Sequence, residues 1–200
     1  MLTSEFLAEF KRVTEAGWHE RQIIPHIYGF QFQQGTRWNL GLSEDKIAEY
    51  EKVLGVSFPH DFRAFLRAMN GTDLPTLNIY GYRPEPPHTS VGVYSYPRDI
   101  ELVKDLMDEA TEEVLEHRAA LTANLAAENF DLTTAISLVP VYEHRYLVCT
   151  EDLSSSAVLS LRSVEDAAVY GRSLEEYLQR EFVHEPQRRY DLLDANARLG

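Results

Sequence analysis

The chain has 200 residues and a mass of 23.0 kDa, the size of one generous domain, long enough to bury a core without a disulfide or metal staple. Hydrophobic residues at 44% and charged residues at 26% exclude a disordered or collagen-like chain. Thirty-two acidic against 19 basic residues leave a formal charge of −13, which opposes phosphate backbones and argues against nucleic acid as a partner.

The first predicted helix runs from Ser4 to Ala16, with Phe6, Leu7, Phe10 and Val13 at helical spacing ahead of Gly17. Gln22–Thr36 is the longest stretch without a formal charge, 15 residues broken by one proline and two glycines, too short for a membrane span. Within it, Ile23–Phe32 reads as a loop and a short strand. Ser43 is placed to cap a helix whose apolar face is Ile47, Tyr50 and Leu54 and whose stop is Gly55. Pro59 at the first helical position opens a second helix, with Phe62, Phe65, Leu66 and Met69 as its stripe and Asn70-Gly71 as its end. Arg63 and Arg67 lie on that helix without the wider basic surface that DNA docking needs.

Leu77–Tyr82 and Val91–Tyr94 read as strands around a proline-rich loop, Arg83 to His88. From Pro97 to Phe130 no further glycine or proline interrupts, so one long helix or two abutting ones are expected. Ser137–Tyr142 and Arg145–Cys149 form a hairpin over Glu143-His144, followed by strands at Ala157–Leu161 and Ala167–Tyr170. Ser173 and Glu176 make a capping box for a closing helix with Leu174, Tyr177, Leu178 and Phe182 on its apolar face. Pro186 ends that helix, and a polar tail follows to Gly200. This order predicts an α+β fold with a mostly antiparallel sheet in one domain: a lead-in over 1–37, a core over 38–183 and a tail over 184–200. A lone cysteine, Cys149, and the lack of a secretory leader predict a cytoplasmic protein.

Three segments carry a family resemblance. The first is Leu54-Gly55-Val56-Ser57-Phe58-Pro59-His60-Asp61-Phe62 continuing through Phe65 to Asn70-Gly71, with Trp38-Asn39-Leu40-Gly41 upstream. The second is Leu138-Val139-Pro140-Val141-Tyr142 with His144-Arg145-Tyr146-Leu147. The third is Val169-Tyr170-Gly171 with Ser173-Leu174-Glu175-Glu176-Tyr177-Leu178. Together, and in this order, they resemble the SUKH superfamily of fungal cell-wall-assembly regulators and bacterial toxin-immunity proteins. The chain departs from it at Glu143, where relatives often carry glycine. The resemblance implies a compact α+β domain that binds proteins and carries out no chemistry. It also implies that Trp38, Gly41, Gly55, Pro59, Phe65, Asn70, Gly71 and Arg145 are structural signature positions, with no cofactor and no catalytic set.

The acid excess is regional, with 10 acidic against 4 basic residues over 81–130. On the long predicted helix Leu102, Val103, Leu106, Met107, Ala110 and Val114 should face the core. Opposite them stand Asp99, Glu101, Asp105, Asp108, Glu109, Glu112, Glu113 and Glu116, with Lys104 the one base among them. Two readings stand: a solvated face that keeps the protein soluble, or a surface for a basic partner, with a toxin's cationic substrate channel the leading candidate. Arg145 likewise either clamps the sheet to the helices or, with Glu143 and His144, presents an exposed hairpin tip. Val91–Tyr96 is a second candidate contact surface. No pair of histidines has metal-binding spacing, so no metal site is expected. An immunity role is the leading expectation. An intracellular regulatory scaffold is the first alternative, and a small hydrolase using His60, Asp61 or His144 the second. A monomer or a homodimer fits equally.

Overall fold

The structure is a computed structural model that describes residues 2–25, 27, 29–79, 88–153 and 156–186. Helix α1 (Ser4–Glu20) starts where the Thr3 side chain accepts the amide hydrogen of Phe6. Strands β1 (Gly29–Phe32) and β2 (Trp38–Leu40) follow, then α2 (Glu44–Leu54) and α3 (His60–Ala68). Ser43 caps α2 through the Lys46 amide, and Gly55 ends it in the left-handed region at φ 67°. Pro59 is the residue before α3 rather than its first turn. Its ψ of 149° is extended, and its carbonyl accepts the first helical bond, from Arg63.

The chain leaves α3 directly into β3 (Met69–Thr72), so Met69 and Asn70 are strand residues rather than a helix end, and only Gly71 is left-handed. Strand β4 (Thr76–Ile79) agrees with the expected position, while Tyr80–Tyr82 and the proline-rich loop before His88 lie outside the described residues. The following strand is β5 (His88–Ser90), not Val91–Tyr94. Gly92 turns left-handed, and the Val93 amide donates to the Thr72 hydroxyl instead of a strand neighbour.

Helix α4 (Ile100–Ala127) is continuous except at His117, whose backbone is non-helical and joins two abutting halves. Then come β6 (Ser137–Tyr142), β7 (Arg145–Cys149), β8 (Val158–Ser160), β9 (Ala168–Gly171) and α5 (Leu174–Gln179). Ser173 caps α5 through the Glu176 amide, but the Glu176 carboxylate reaches one residue further back, to the Arg172 amide. A π-helical turn, Arg180–His184, extends the helix, and helical geometry continues through Pro186 rather than stopping there. The expected tail from 187 onward lies outside the described residues.

Every strand pairing among the described residues is antiparallel: β1-β4-β5, β2-β3 and the meander β6-β7-β8-β9. The meander is buried on both faces, and its two-residue period sorts the side chains. Val139, Val141, Leu147, Cys149 and Val158 join a core with α1, α2, α3 and α5. Leu138, Tyr146, Val148, Leu159 and Val169 join a second core beneath α4, where Ala110, Leu121 and Leu125 meet them. Leu7, Phe10 and Trp18 of α1 are packed into the first core, so the lead-in helix is built into the same fold as the segment after Trp38.

The expected signature positions have local structural roles. Trp38 is buried, and its indole N–H donates to Thr14 Oγ1 at 2.8 Å. Phe65 stacks edge-on against it at 5.7 Å. Gly41 lets the backbone pass so close to α3 that a Cβ would collide with the Arg67 carbonyl. Asn70 clamps the chain at Tyr96, accepting from its amide at 3.0 Å and donating to its carbonyl at 2.6 Å.

Candidate functional site

Two places concentrate the chemistry anticipated above: the exposed face of α4 and the turn between β6 and β7. On α4, Val103 and Ala110 are buried while Glu101, Asp105, Asp108, Glu109, Glu112 and Glu116 are exposed, and Glu113 is half-buried. Lys104, the only lysine or arginine in this run, pairs with Glu101 at 3.0 Å, Glu116 lies 4.0 Å from the His117 imidazole, and Asp105, Asp108, Glu109 and Glu112 have no ion pair among the described residues. Beyond the break at His117 the helix carries no acid before Glu128, so the negative surface belongs to its first half alone.

Asp99 is not part of this face. It is 8% exposed, precedes the helix, accepts the Ser95 amide at 2.8 Å and pairs with Arg98 at 2.7 Å. Its carboxylate orders the turn into α4 rather than meeting solvent. Leu102, expected in the core, is also exposed, as is Leu115. Val103 and Ala110 of the expected stripe are buried, Leu106, Met107 and Val114 are half-buried, and Leu121 and Leu125 continue the buried face beyond His117.

The β6–β7 turn is not an exposed tip. Glu143 takes the left-handed conformation at φ 50°, a region that glycine enters freely and a residue with a Cβ enters at a cost of about 1–2 kcal/mol. Glu143, His144 and Arg145 are all partly buried. Arg145 donates to Glu181 at 3.0 Å and to Ser160 at 2.8 Å, and its guanidinium lies 3.7 Å from the Tyr170 ring centroid. Arg180 covers the same ring at 4.1 Å. The clamp reading of Arg145 therefore describes its surroundings: it ties β7 to β8, β9 and the turn after α5.

Beside this clamp lies a cleft of about 510 Å³ whose wall includes Phe30, Asn78, Glu143, His144, Arg162 and Glu181. Burial, with the nearby charges of Arg145 and Arg162, pushes the His144 imidazole down to about 4, so it is neutral at pH 7. Burial raises the Glu143 carboxyl above the ordinary range, only partly countered by hydroxyls of Ser90 and Thr76. Sequence reasoning singled out Arg145 but not Glu181, Tyr170 or the cleft, because a partner 36 residues away is fixed by strand pairing and helix placement, not by local spacing.

The remaining candidates do not converge. Asp61 is buried, accepting the Leu2 amide at 2.7 Å and the Ser156 hydroxyl at 3.5 Å, while the neighbouring His60 is exposed. Neither lines the cleft that holds His144. Cys149 is fully buried, and burial pushes its thiol up to about 12, an unreactive core position. Among the described residues no three His, Cys, Asp or Glu side chains gather as a metal site. Val91–Tyr96 is not a free surface: Val93, Ser95 and Tyr96 are buried, and Val93 bridges to Tyr142. Arg63 and Arg67 are occupied by Glu44, and Arg63 also by Glu51, across the α2–α3 pair. No described helix is long and apolar enough to cross a membrane.

In this α+β fold Asp99, Arg145 and Glu181 are engaged in caps and clamps, and six exposed acids line one face of α4. A family model for the SMI1 / KNR4 family (SUKH-1) matches residues 41–180, and the chain belongs to that family. The family is one of immunity proteins and regulators. No curated protein and no solved structure matches the chain.

Proposed function

We propose that this protein is a non-catalytic, cytoplasmic immunity protein that binds a cognate toxin and blocks it by occlusion. The observation that carries this reading is the first half of α4, where six exposed acids share one base. Such a face is the electrostatic complement of a basic channel, and a nuclease toxin needs one to hold phosphates. Like charges sit at i, i+4 along the face (Glu101–Asp105, Asp105–Glu109, Asp108–Glu112, Glu112–Glu116), each pair opposing the helix by roughly 0.2–0.5 kcal/mol. The face is thus a cost to the fold that partner binding would offset.

The test reverses Glu101, Asp105, Asp108 and Glu112 to lysine and measures binding to toxin candidates encoded beside this gene. Folding should survive, because these side chains are solvent-exposed. Association should slow by about tenfold or more at low salt, with a flatter dependence on ionic strength. Unchanged rate and unchanged salt dependence would remove this face from the interface. Co-purification without rescue of growth would replace immunity by the regulatory scaffold role.

A further inference from the structure

The cleft beside the β6–β7 turn contains a carboxyl group, Glu143, that forms no ion pair among the described residues. Glu181 is satisfied by Arg145 at 3.0 Å. Glu143 has the Thr76 hydroxyl at 3.5 Å and the Ser90 hydroxyl, and no cation at ion-pair distance among the described residues. A carboxylate removed from water without a counter-charge is costly, and this one is held there by a backbone in the left-handed region. Aromatic surface lies alongside: Phe30 packs edge-on to Tyr142 at 6.2 Å and sits 6.5 Å from the His144 ring. The neutral imidazole adds a hydrogen-bonding group without adding charge. A volume of about 510 Å³ is enough for a charged head on a short alkyl stem.

We propose that this cleft is a binding site for an organic cation, a guanidinium or alkylammonium head that pairs with Glu143 while its stem lies against Phe30 and Tyr142. The ligand is either a small free cation or an arginine or lysine side chain inserted by a partner. Arg162, exposed at the same cleft, repels a second positive charge and so disfavours polyamines. The site is separate from the acid face of α4 and stands or falls independently of it.

The test is an NMR titration of the full chain at pH 7 with three probes: butylguanidinium, its neutral isostere butylurea, and the capped tripeptide acetyl-Gly-Arg-Gly-amide. Saturable shifts at the amides of Phe30, Asn78 and His144 are expected with the two cations and not with butylurea. A tripeptide that binds more tightly than butylguanidinium identifies a partner's side chain as the source, and equal or weaker binding identifies a free cation. Glu143→Gln should weaken either cation by about tenfold or more, the loss expected for a charge-assisted contact. Glu143→Gly suits the left-handed backbone, so it keeps the fold while removing the carboxylate, and it should lose binding equally. Equal binding of butylurea, unchanged affinity in both variants, or shifts confined to α4 would overturn the proposal.

Discussion

Replacing Glu181 with glutamine keeps the shape of the side chain but strips Arg145 of its only ion-pair partner among the described residues. Both side chains are 12% exposed, so the guanidinium is left largely desolvated and uncompensated. Breaking one side of a buried pair costs about 3–5 kcal/mol. Arg145 retains its bond to Ser160 and its place over Tyr170, which sets the expectation at the lower end, about 3 kcal/mol. For a chain of this length that corresponds to a fall in Tm of about 6–12 °C. Urea unfolding followed by the fluorescence of Trp18 and Trp38, both in the core, reads the loss as a lower midpoint at unchanged slope. The double replacement Arg145→Met with Glu181→Leu should recover most of the stability, because an apolar pair of similar volume removes the stranded charge. A single-variant loss below about 1 kcal/mol, the value for an exposed pair, would refute the clamp. So would a double variant whose loss equals the sum of the two single ones.

Further outcomes follow from backbone and burial. Gly71→Ala should cost several-fold more stability than Gly55→Ala: both have φ 67°, but a Cβ at 71 would lie 2.6 Å from the carbonyls of Val93 and Tyr94, whereas at 55 nothing lies within 4 Å. Paired denaturant curves decide this, and equal losses would contradict it. Cys149 should resist a thiol-specific aromatic disulfide in the native protein and react only at the rate of unfolding; rapid labelling without denaturant would show it accessible. His144 has its folded pKa lowered to about 4, so between that value and about 6.5 the unfolded chain holds a proton that the folded chain lacks. Its stabilising contribution is complete above that window and is lost as pH falls through it. The natural protein should therefore lose about 1–3 kcal/mol more than His144→Phe between pH 7 and pH 4, as read by stability curves at both values. Identical pH profiles would show that His144 is not desolvated. Glu143, with its pKa raised, acts in the opposite direction, which is why the comparison is made against the His144 variant and not against pH 7 alone.

What the sequence disclosed is what local chemistry determines. Ser43, Gly55 and Ser173 mark helix ends because capping needs only neighbours within a turn, and the meander shows through because alternate residues face the two cores. Pro59 was displaced by one position because its ring satisfies both the first turn and the residue before it. Val91–Tyr94 has the composition of a strand, but Gly92 and the Thr72 hydroxyl redirect its backbone. Asp99 continues the acid pattern of α4 in one dimension and leaves it in three, because the Ser95 amide and Arg98 draw it inward. The cleft was not legible at all: it joins β1, β4, the β6–β7 turn and Glu181, and only the assembled topology brings these together.

The separation of the acid ridge from the two cores has an evolutionary consequence. Single substitutions among its six exposed positions leave packing untouched and relieve repulsion, so mutation alone should wear the ridge down toward neutrality. A lineage that keeps it must be held there by something outside the fold. One that changes its pattern can acquire a new specificity while inheriting the scaffold intact.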